Sequence, residues 1–237
     1  MLHNNSNLRN ATLVVIVPNK STIYPEFLPS RIRKLSTATR LDQLVEHVRR
    51  STGVPILDLR NTLIDAKKSG PLYRKTDTHW NQLGALVAYQ KILDTLSCWF
   101  PSLRPHPLSA FRMRSEILPG GNILSNLRLQ KLAPEEVPYL IPKFEPQPSA
   151  QEPVPGGQVV TRETGRQWLP SAVIFHDSFM LNLDWLLAEH FNWLIFVPQT
   201  ENFAMRFDLG LVRKERPDLV LELFVERRLM EPSLWGH

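Results

Sequence analysis

Short runs of branched apolar residues alternate along the chain with stretches of helical period. "ATLVVIVP" (11–18) is a β-branched run halted by proline, which reads as a buried strand. "TRLDQLVEHVRR" (39–50) places Leu41, Leu44, Val45 and Val48 at helical spacing, and "VPILDL" (54–59) reads as a second strand. A short helical piece follows around Leu63 and Ile64. "NQLGALVAYQKILDTLSCWF" (81–100) carries Leu83, Leu86, Val87, Ile92, Leu93 and Leu96 largely on one side, the pattern of an amphipathic helix. "SAVIFHD" (171–177) is a third strand and "MLNLDWLLAEHF" (180–191) a helix. "NWLIFVP" (192–198) and "PDLVLELFVERRL" (217–229) supply further strands, the last passing into helix. Strands written as continuous apolar runs and separated by helices predict a mainly parallel sheet covered on both faces. The expected fold is α/β, a three-layer α/β/α sandwich.

The stretch 101–170 breaks this pattern. Seven prolines fall between Pro134 and Pro155, and "PSAQEPVPGG" (148–157) is a loop by composition. It is expected to be a long irregular insertion between two parts of one sheet, so that residues 1–237 form a single domain.

Composition adds bounds. The chain has 237 residues, 43 % of them hydrophobic and 22 % charged, as in a soluble globular protein. Its net charge of +5 comes from short scattered clusters, among them Arg31, Arg33 and Lys34, and Arg213, Lys214 and Arg216. With no basic stripe and no interleaved aromatics, nucleic acid is not an expected partner. The single cysteine, Cys98, allows no internal disulfide and is expected as a small core residue on the helix 81–100. The N-terminal "MLHNNSNLRNAT" has no apolar stretch of the signal-peptide kind. The greasiest segment, 172–198, is broken by His176, Asp177, Asp184, Glu189 and His190, so no transmembrane segment is expected.

Ligands of open α/β sheets bind beyond the carboxyl ends of the strands, so the polar residues there carry the candidate chemistry. No GxSxG elbow, phosphate-binding glycine loop, dinucleotide fingerprint or HExxH occurs. What remains is "FHDSFM" (175–180) and "DTH" (77–79). A strand running through His176–Asp177–Ser178 into a helix would expose Ser178 and set backbone N–H groups where an oxyanion could be held. The plain alternative is that Asp177 or Ser178 caps the helix. If 76–79 is extended, Asp77 and His79 share a face, and the acid could fix the imidazole while its other nitrogen meets a serine. The plain alternative there is a cap by Thr78 or Asn81 beside an ordinary histidine. A zinc site from Asp77, His79, His176 and Asp177 is a further option. The other histidines (His3, His47, His106, His190, His237) show no ligand spacing.

Taken together, "VPNKSTIYPEFLP" (17–29), "GVPILDLRNTLIDAKKSGPLYRKTDTHWNQLGA" (53–85), "GGNILSNLRL" (120–129), "AVIFHDSF" (172–179) and "RPDLVLELFVERRL" (216–229) closely resemble the SGNH-hydrolase-like domain of the alginate O-acetyltransferase family, of the AlgX and AlgJ type. The order Asp77, His79, Ser178 is similar to that family's permuted arrangement, in which the serine comes last. The resemblance implies Ser178 as nucleophile, His79 as general base and Asp77 as its orienting acid. Lys20, Tyr24, Arg74, Trp80 and Asn81 are expected around the substrate. The implied reaction moves an acetyl group from a donor to an exopolysaccharide hydroxyl, or to water, through an acetyl-serine, with no cofactor and no metal. The implied setting is periplasmic, beside a membrane-bound O-acyltransferase that delivers acetyl. Family members carry an upstream segment before the first strand, and against them this chain reads as N-terminally shortened. A non-catalytic glycan-binding or assembly protein of the same polysaccharide system is the alternative from another class.

Overall fold

The computed structural model describes residues 11–146, 150–153, 159–199 and 208–230. Its strands are β1 (Ala11–Val17), β2 (Ile56–Asp58), β3 (Phe111–Leu118), β4 (Glu135–Pro142), β5 (Ala150–Pro153), β6 (Val160–Glu163), β7 (Ala172–His176), β8 (Trp193–Pro198) and β9 (Leu219–Val225). The helices are α1 (Lys20–Ile23), α2 (Arg40–Ser51), α3 (Arg60–Ala66), α4 (Gln82–Leu96), α5 (Asn122–Asn126), α6 (Asp184–Ala188) and α7 (Leu209–Glu215). The main sheet has the order β2-β1-β9-β7-β8-β6-β5, and its pairs from β2 to β8 are parallel. The last strand in sequence thus enters its centre, where all seven residues of β9 are buried.

Side-chain alternation along β1 separates the layers. Leu13, Val15 and Val17 join the core formed with Leu63 of α3, Leu86, Ile92 and Leu93 of α4, and Leu186 of α6. Ile16, with Val14 beside it, faces Leu41, Leu44 and Val45 of α2. On that same side Val173, Phe175 and Val220 meet Leu211 and Val212 of α7. The first turn of α2 is closed by a capping box between Thr39 and Asp42.

The excursion holds more order than its prolines indicate. β3 and β4 form a separate antiparallel ribbon of eight residue pairs, from Phe111↔Pro142 to Leu118↔Glu135. Pro138 sits within it because a two-stranded ribbon leaves each strand an edge that needs no ladder donor. β6 and β5 extend the main sheet by antiparallel pairing onto β8. The loop read at 148–157 contains β5, and its remaining residues 148–149 and 154–157 lie outside the described set, as do His3 and His237. The helix read over 81–100 stops at Leu96, so Cys98 falls in the following turn and is exposed rather than packed in the core. The helix read from 180 is broken into a 3₁₀ turn, Ser178–Met180, and the short α6.

Behind the site, α4 is tied to the α6–β8 turn through a buried polar contact. Tyr89 Oη lies 2.5 Å from His190 Nε2 and accepts the His106 amide at 2.7 Å. Burial first, then His106 and Arg166, pull the His190 imidazole down to about 3, and burial also lowers His106. Unfolded, each would take a proton near pH 6.5, so the unfolded state binds more protons below that pH. Stability is therefore full above pH 6.5 and drains as the pH falls toward 3. We expect urea unfolding at pH 4.5 to show a loss of about 2–3 kcal/mol attributable to His190, and His190→Gln to flatten that slope.

Candidate active site

The site lies at the carboxyl edge of β1, β9 and β7. β7 ends in His176, and Asp177 then clamps the chain. Its Oδ1 accepts the Phe179 amide at 2.8 Å and its Oδ2 the Val225 amide at 2.7 Å, locking the end of β7 to the end of β9. Asp177 and Phe179 are buried, and Ser178 between them is turned out to solvent. Asp177 is thus the cap, as the plain reading allowed. The oxyanion reading of the turn narrows, because the Phe179 and Met180 amides are both taken up by Asp177. The Ser178 amide has no acceptor among the described residues.

Asp77 and His79 stand at the tip of a tight loop closed by a Tyr73↔Trp80 bridge. Residues 76–79 are not extended. Asp77 Oδ1 instead accepts both the His79 amide at 2.9 Å and the His79 ring, with Nδ1 at 2.7 Å, a turn built by the aspartate side chain itself. The carboxylate partner puts the proton on Nδ1 and leaves the Nε2 lone pair facing Ser178 Oγ at 2.8 Å. Burial would raise the Asp77 carboxyl, but hydrogen bonds from the His79 ring and from the His79 and Asn122 amides outweigh it and hold it well below the usual carboxylate range. Phe179 packs against the His79 ring, centroids 4.8 Å apart, and Trp80 Nε1 donates to the Leu181 carbonyl at 3.0 Å, so the two halves of the site share one wall.

The remaining sequence candidates divide. Trp80 and Asn81 are buried, at 0 % and 2 % exposure, and border a cleft of about 250 Å³ together with Arg74, Asp77 and His79. Asn81 caps α4 through the Gly84 amide and donates to the Pro71 carbonyl. Lys20 is likewise committed, since Nζ donates to the carbonyls of Arg74, Lys75 and Asp77, and burial lowers its pKa against the pull of Glu135 and Asp77. Arg74 pairs with Glu135 at 2.9 Å and donates to the Pro119 carbonyl. Tyr24 accepts the Leu72 amide and lines a cleft with its ring. His176 Nδ1 faces the Asp177 carbonyl at 2.9 Å, and with both Asp177 oxygens occupied the zinc grouping does not assemble. Among the described residues no cluster of three or more histidine, cysteine or acidic side chains is placed to hold a metal.

Two supports escaped the sequence reading. Glu135, at the start of β4, accepts from Arg74 Nε, the Lys75 amide and Thr76 Oγ1 at 3.0, 2.6 and 2.6 Å. Asn122, opening α5, donates its amide to Asp77 Oδ2 at 2.9 Å, while its side chain accepts the Thr78 amide and donates to Thr78 Oγ1. The excursion therefore holds the acid–base loop in place. Glu135→Ala takes the acceptor away from three part-buried hydrogen bonds, and we expect it to cost about 1–3 kcal/mol in thermal unfolding, with Glu135→Gln recovering part of the loss.

Ser178 and His79 open on a cleft of about 430 Å³, walled by Val160, Met180, Leu181 and Phe196 and crossed by an Arg162–Asp184 pair at 2.5 Å. A serine, histidine and aspartate linked in series at the carboxyl edge of a parallel sheet, with helices on both faces, is the arrangement of a serine-hydrolase-like α/β domain. The family model for the SGNH hydrolase-like domain of acetyltransferase AlgX matches residues 7–157, and the chain belongs to that family. It is 30 % identical over 156 residues to a probable alginate O-acetylase AlgJ of Pseudomonas aeruginosa, a match covering 64 % of this chain and 39 % of the relative. The chain thus spans well under half the length of that relative. Among solved structures, the O-acetyltransferase domain of Pseudomonas putida AlgJ superposes with a TM-score of 0.63 at 20 % identity, covering 98 % of this chain and 81 % of that one. Bacillus cereus PatB1 superposes with a TM-score of 0.70 at 15 % identity, covering 94 % and 85 %. At these identities the structural likeness speaks for the fold.

Proposed function

We propose that this chain is a polysaccharide O-acetyltransferase domain working through an acetyl-serine intermediate on Ser178. The observation that carries the reading is the series of short contacts, Asp77 Oδ1 to His79 Nδ1 at 2.7 Å and His79 Nε2 to Ser178 Oγ at 2.8 Å. Both lie within the reach a general base needs, and such a base contributes about 10²–10⁴-fold. Membership of an acetyltransferase family supports the choice of acyl group.

In the first half-reaction Ser178 Oγ attacks the acetyl carbonyl carbon while its proton passes to His79 Nε2. The tetrahedral centre collapses, the donor's oxygen leaves with that proton, and acetyl-Ser178 remains. In the second half-reaction a sugar hydroxyl attacks the acetyl carbon and gives its proton to His79, which returns one to Ser178 Oγ as the ester bond breaks. Asp77 keeps the imidazole in the required tautomer and stabilises its protonated form. Water in place of the sugar would give acetylester hydrolysis by the same steps.

The working site so proposed is extracytoplasmic, beside a membrane-bound O-acyltransferase that supplies acetyl. Among the described residues no helix is long and apolar enough to cross a membrane. The test is transfer of labelled acetyl from an activated ester to a polysaccharide acceptor. Label is expected on the polymer with the parent chain and none with Ser178→Ala. Equal labelling by both would remove the proposal.

A further inference from the structure

Two loops that meet at one cleft carry bare apolar side chains. The first leaves the 3₁₀ turn Pro25–Phe27 and runs to Thr39, the cap of α2, exposing Phe27, Leu28, Ile32 and Leu35. The second is α5 with the turn that follows it, exposing Ile123, Leu127, Leu129 and Leu132. Phe27, Leu28 and Ile123 line a cleft of about 480 Å³ beside Thr78 of the acid–base loop, at the carboxyl ends of β1 and β9. Leu35 is 100 % exposed, Leu132 79 % and Phe27 78 %. Single apolar side chains are common on a soluble surface, whereas a concentration of them on two adjoining loops marks a contact. The same segments are rich in cations and empty of acids. Arg31, Arg33, Lys34 and Arg40 fall between Phe27 and Leu41, and Arg128 and Lys131 between Ile117 and Pro134, with no aspartate or glutamate in either span. All of these cations are exposed, and among the described residues none makes an ion pair.

The chemistry of this surface selects what covers it. A polysaccharide would use the cations and leave the leucines and isoleucines idle. A second copy of this chain would set cation against cation. A side chain as bare as Leu35 stands in no groove, so it offers a folded partner no shape to fit. A lipid interface needs none, since it takes apolar side chains into the acyl boundary while lysine and arginine stay at the headgroups. Cations without acids further select headgroups of negative charge. We propose that the segments 27–41 and 117–134 dock this chain on an anionic lipid bilayer, the leucines and isoleucines entering the interface and Arg31, Arg33, Lys34, Arg128 and Lys131 lying among the headgroups. Asn122, which holds Asp77 Oδ2, opens the second loop, so docking sets the acid–base loop close to the lipid surface. The inference goes beyond the acetyl-transfer reading and does not rest on it.

The test is co-sedimentation of the full chain with vesicles, either of phosphatidylcholine alone or of phosphatidylcholine mixed with an equal amount of phosphatidylglycerol. At low salt the mixed vesicles should carry down the chain about tenfold better than the neutral ones, an advantage that raised salt removes. Leu35→Asn and Leu132→Asn, one change in each loop, should each weaken that partition about fivefold or more. Arg33→Gln combined with Arg128→Gln should weaken it about tenfold. Trp168, exposed ahead of β7 at the opposite edge of the sheet, is the control, and Trp168→Asn should leave partition unchanged. Unfolding curves that superpose across the variants show that the fold is intact. Partition equal on both kinds of vesicle, absent from both, or lost in only one of the two leucine variants would overturn the assignment. So would dimers that form without lipid and are broken by Leu35→Asn, which would make the surface an interface between copies. Ser178→Ala should sediment as the parent does, and acetyl-Ser178 formation scores the catalytic reading separately, so either can fail alone.

Discussion

Ser178→Ala and His79→Ala are each expected to stop turnover of an activated acetyl ester while leaving the fold intact. Ser178 is exposed at the end of a turn fixed by Asp177, so its hydroxyl carries no packing. Removing the nucleophile of a serine relay lowers kcat by about four to six orders of magnitude, and removing its base does nearly as much because the two act as a unit. The double variant should therefore be scarcely slower than either single one. Steady-state kinetics with a chromogenic acetate would show this. Additive losses, or a Ser178→Ala chain within tenfold of the parent, would mean that the 2.8 Å contact between His79 and Ser178 is not the working pair.

Gly121→Ala is expected to be the next most damaging change although Gly121 is not one of the three groups in series. An ideal Cβ at this position would overlap Asp77 Cβ and Oδ2 and lie 2.8 Å from Asp77 Cγ. The backbone there, at φ −74° and ψ −164°, suits alanine, so the clash is the only cost. Asp77 must then retreat from Asn122 or turn away from His79, and displacement of a catalytic group by about 1 Å costs roughly 10²-fold. We expect kcat to fall by about 10²–10³-fold, against a stability loss of only about 1–3 kcal/mol from overpacking. Gly53→Ala, where a Cβ meets nothing within 4 Å, is the matched control and should leave both unchanged. Should Gly121→Ala lose stability in step with activity, the contact would be structural only.

The particulars show where the sequence was legible. The parallel strands were readable because each is a short branched run bounded by proline or polar residues, as in "ATLVVIVP" and "AVIFHD". The ribbon β3–β4 was not. "FRMRSEIL" is largely exposed and charged, and Pro138 and Pro142 disguise its partner. Cys98 was misplaced because helical periodicity runs smoothly past Leu96, whereas the helix ends where its hydrogen bonds do. Asp77, His79 and Ser178 were singled out as residue types at strand and helix ends, and the structure sets them in series, but the geometry expected at 76–79 was wrong. An extended segment was expected where the aspartate folds the loop around its own Oδ1. Glu135 and Asn122 act across 59 and 45 residues of chain, and no local pattern announces such contacts. The "GGN" run was the available signal, since a glycine beside an asparagine marks a close backbone approach.

The most direct test of the account is where a sulfonyl fluoride attaches. Attack by Ser178 Oγ on sulfur expels fluoride and leaves a sulfonyl ester that does not turn over, so rapid deacylation cannot hide the event. Peptide mapping of the treated parent chain should place the group on Ser178. His79→Ala should slow its attachment by about 10²-fold or more, and Ser178→Ala should carry none. Sulfonylation at another residue, or labelling of Ser178 at the same rate with and without His79, would contradict a serine nucleophile activated by that histidine.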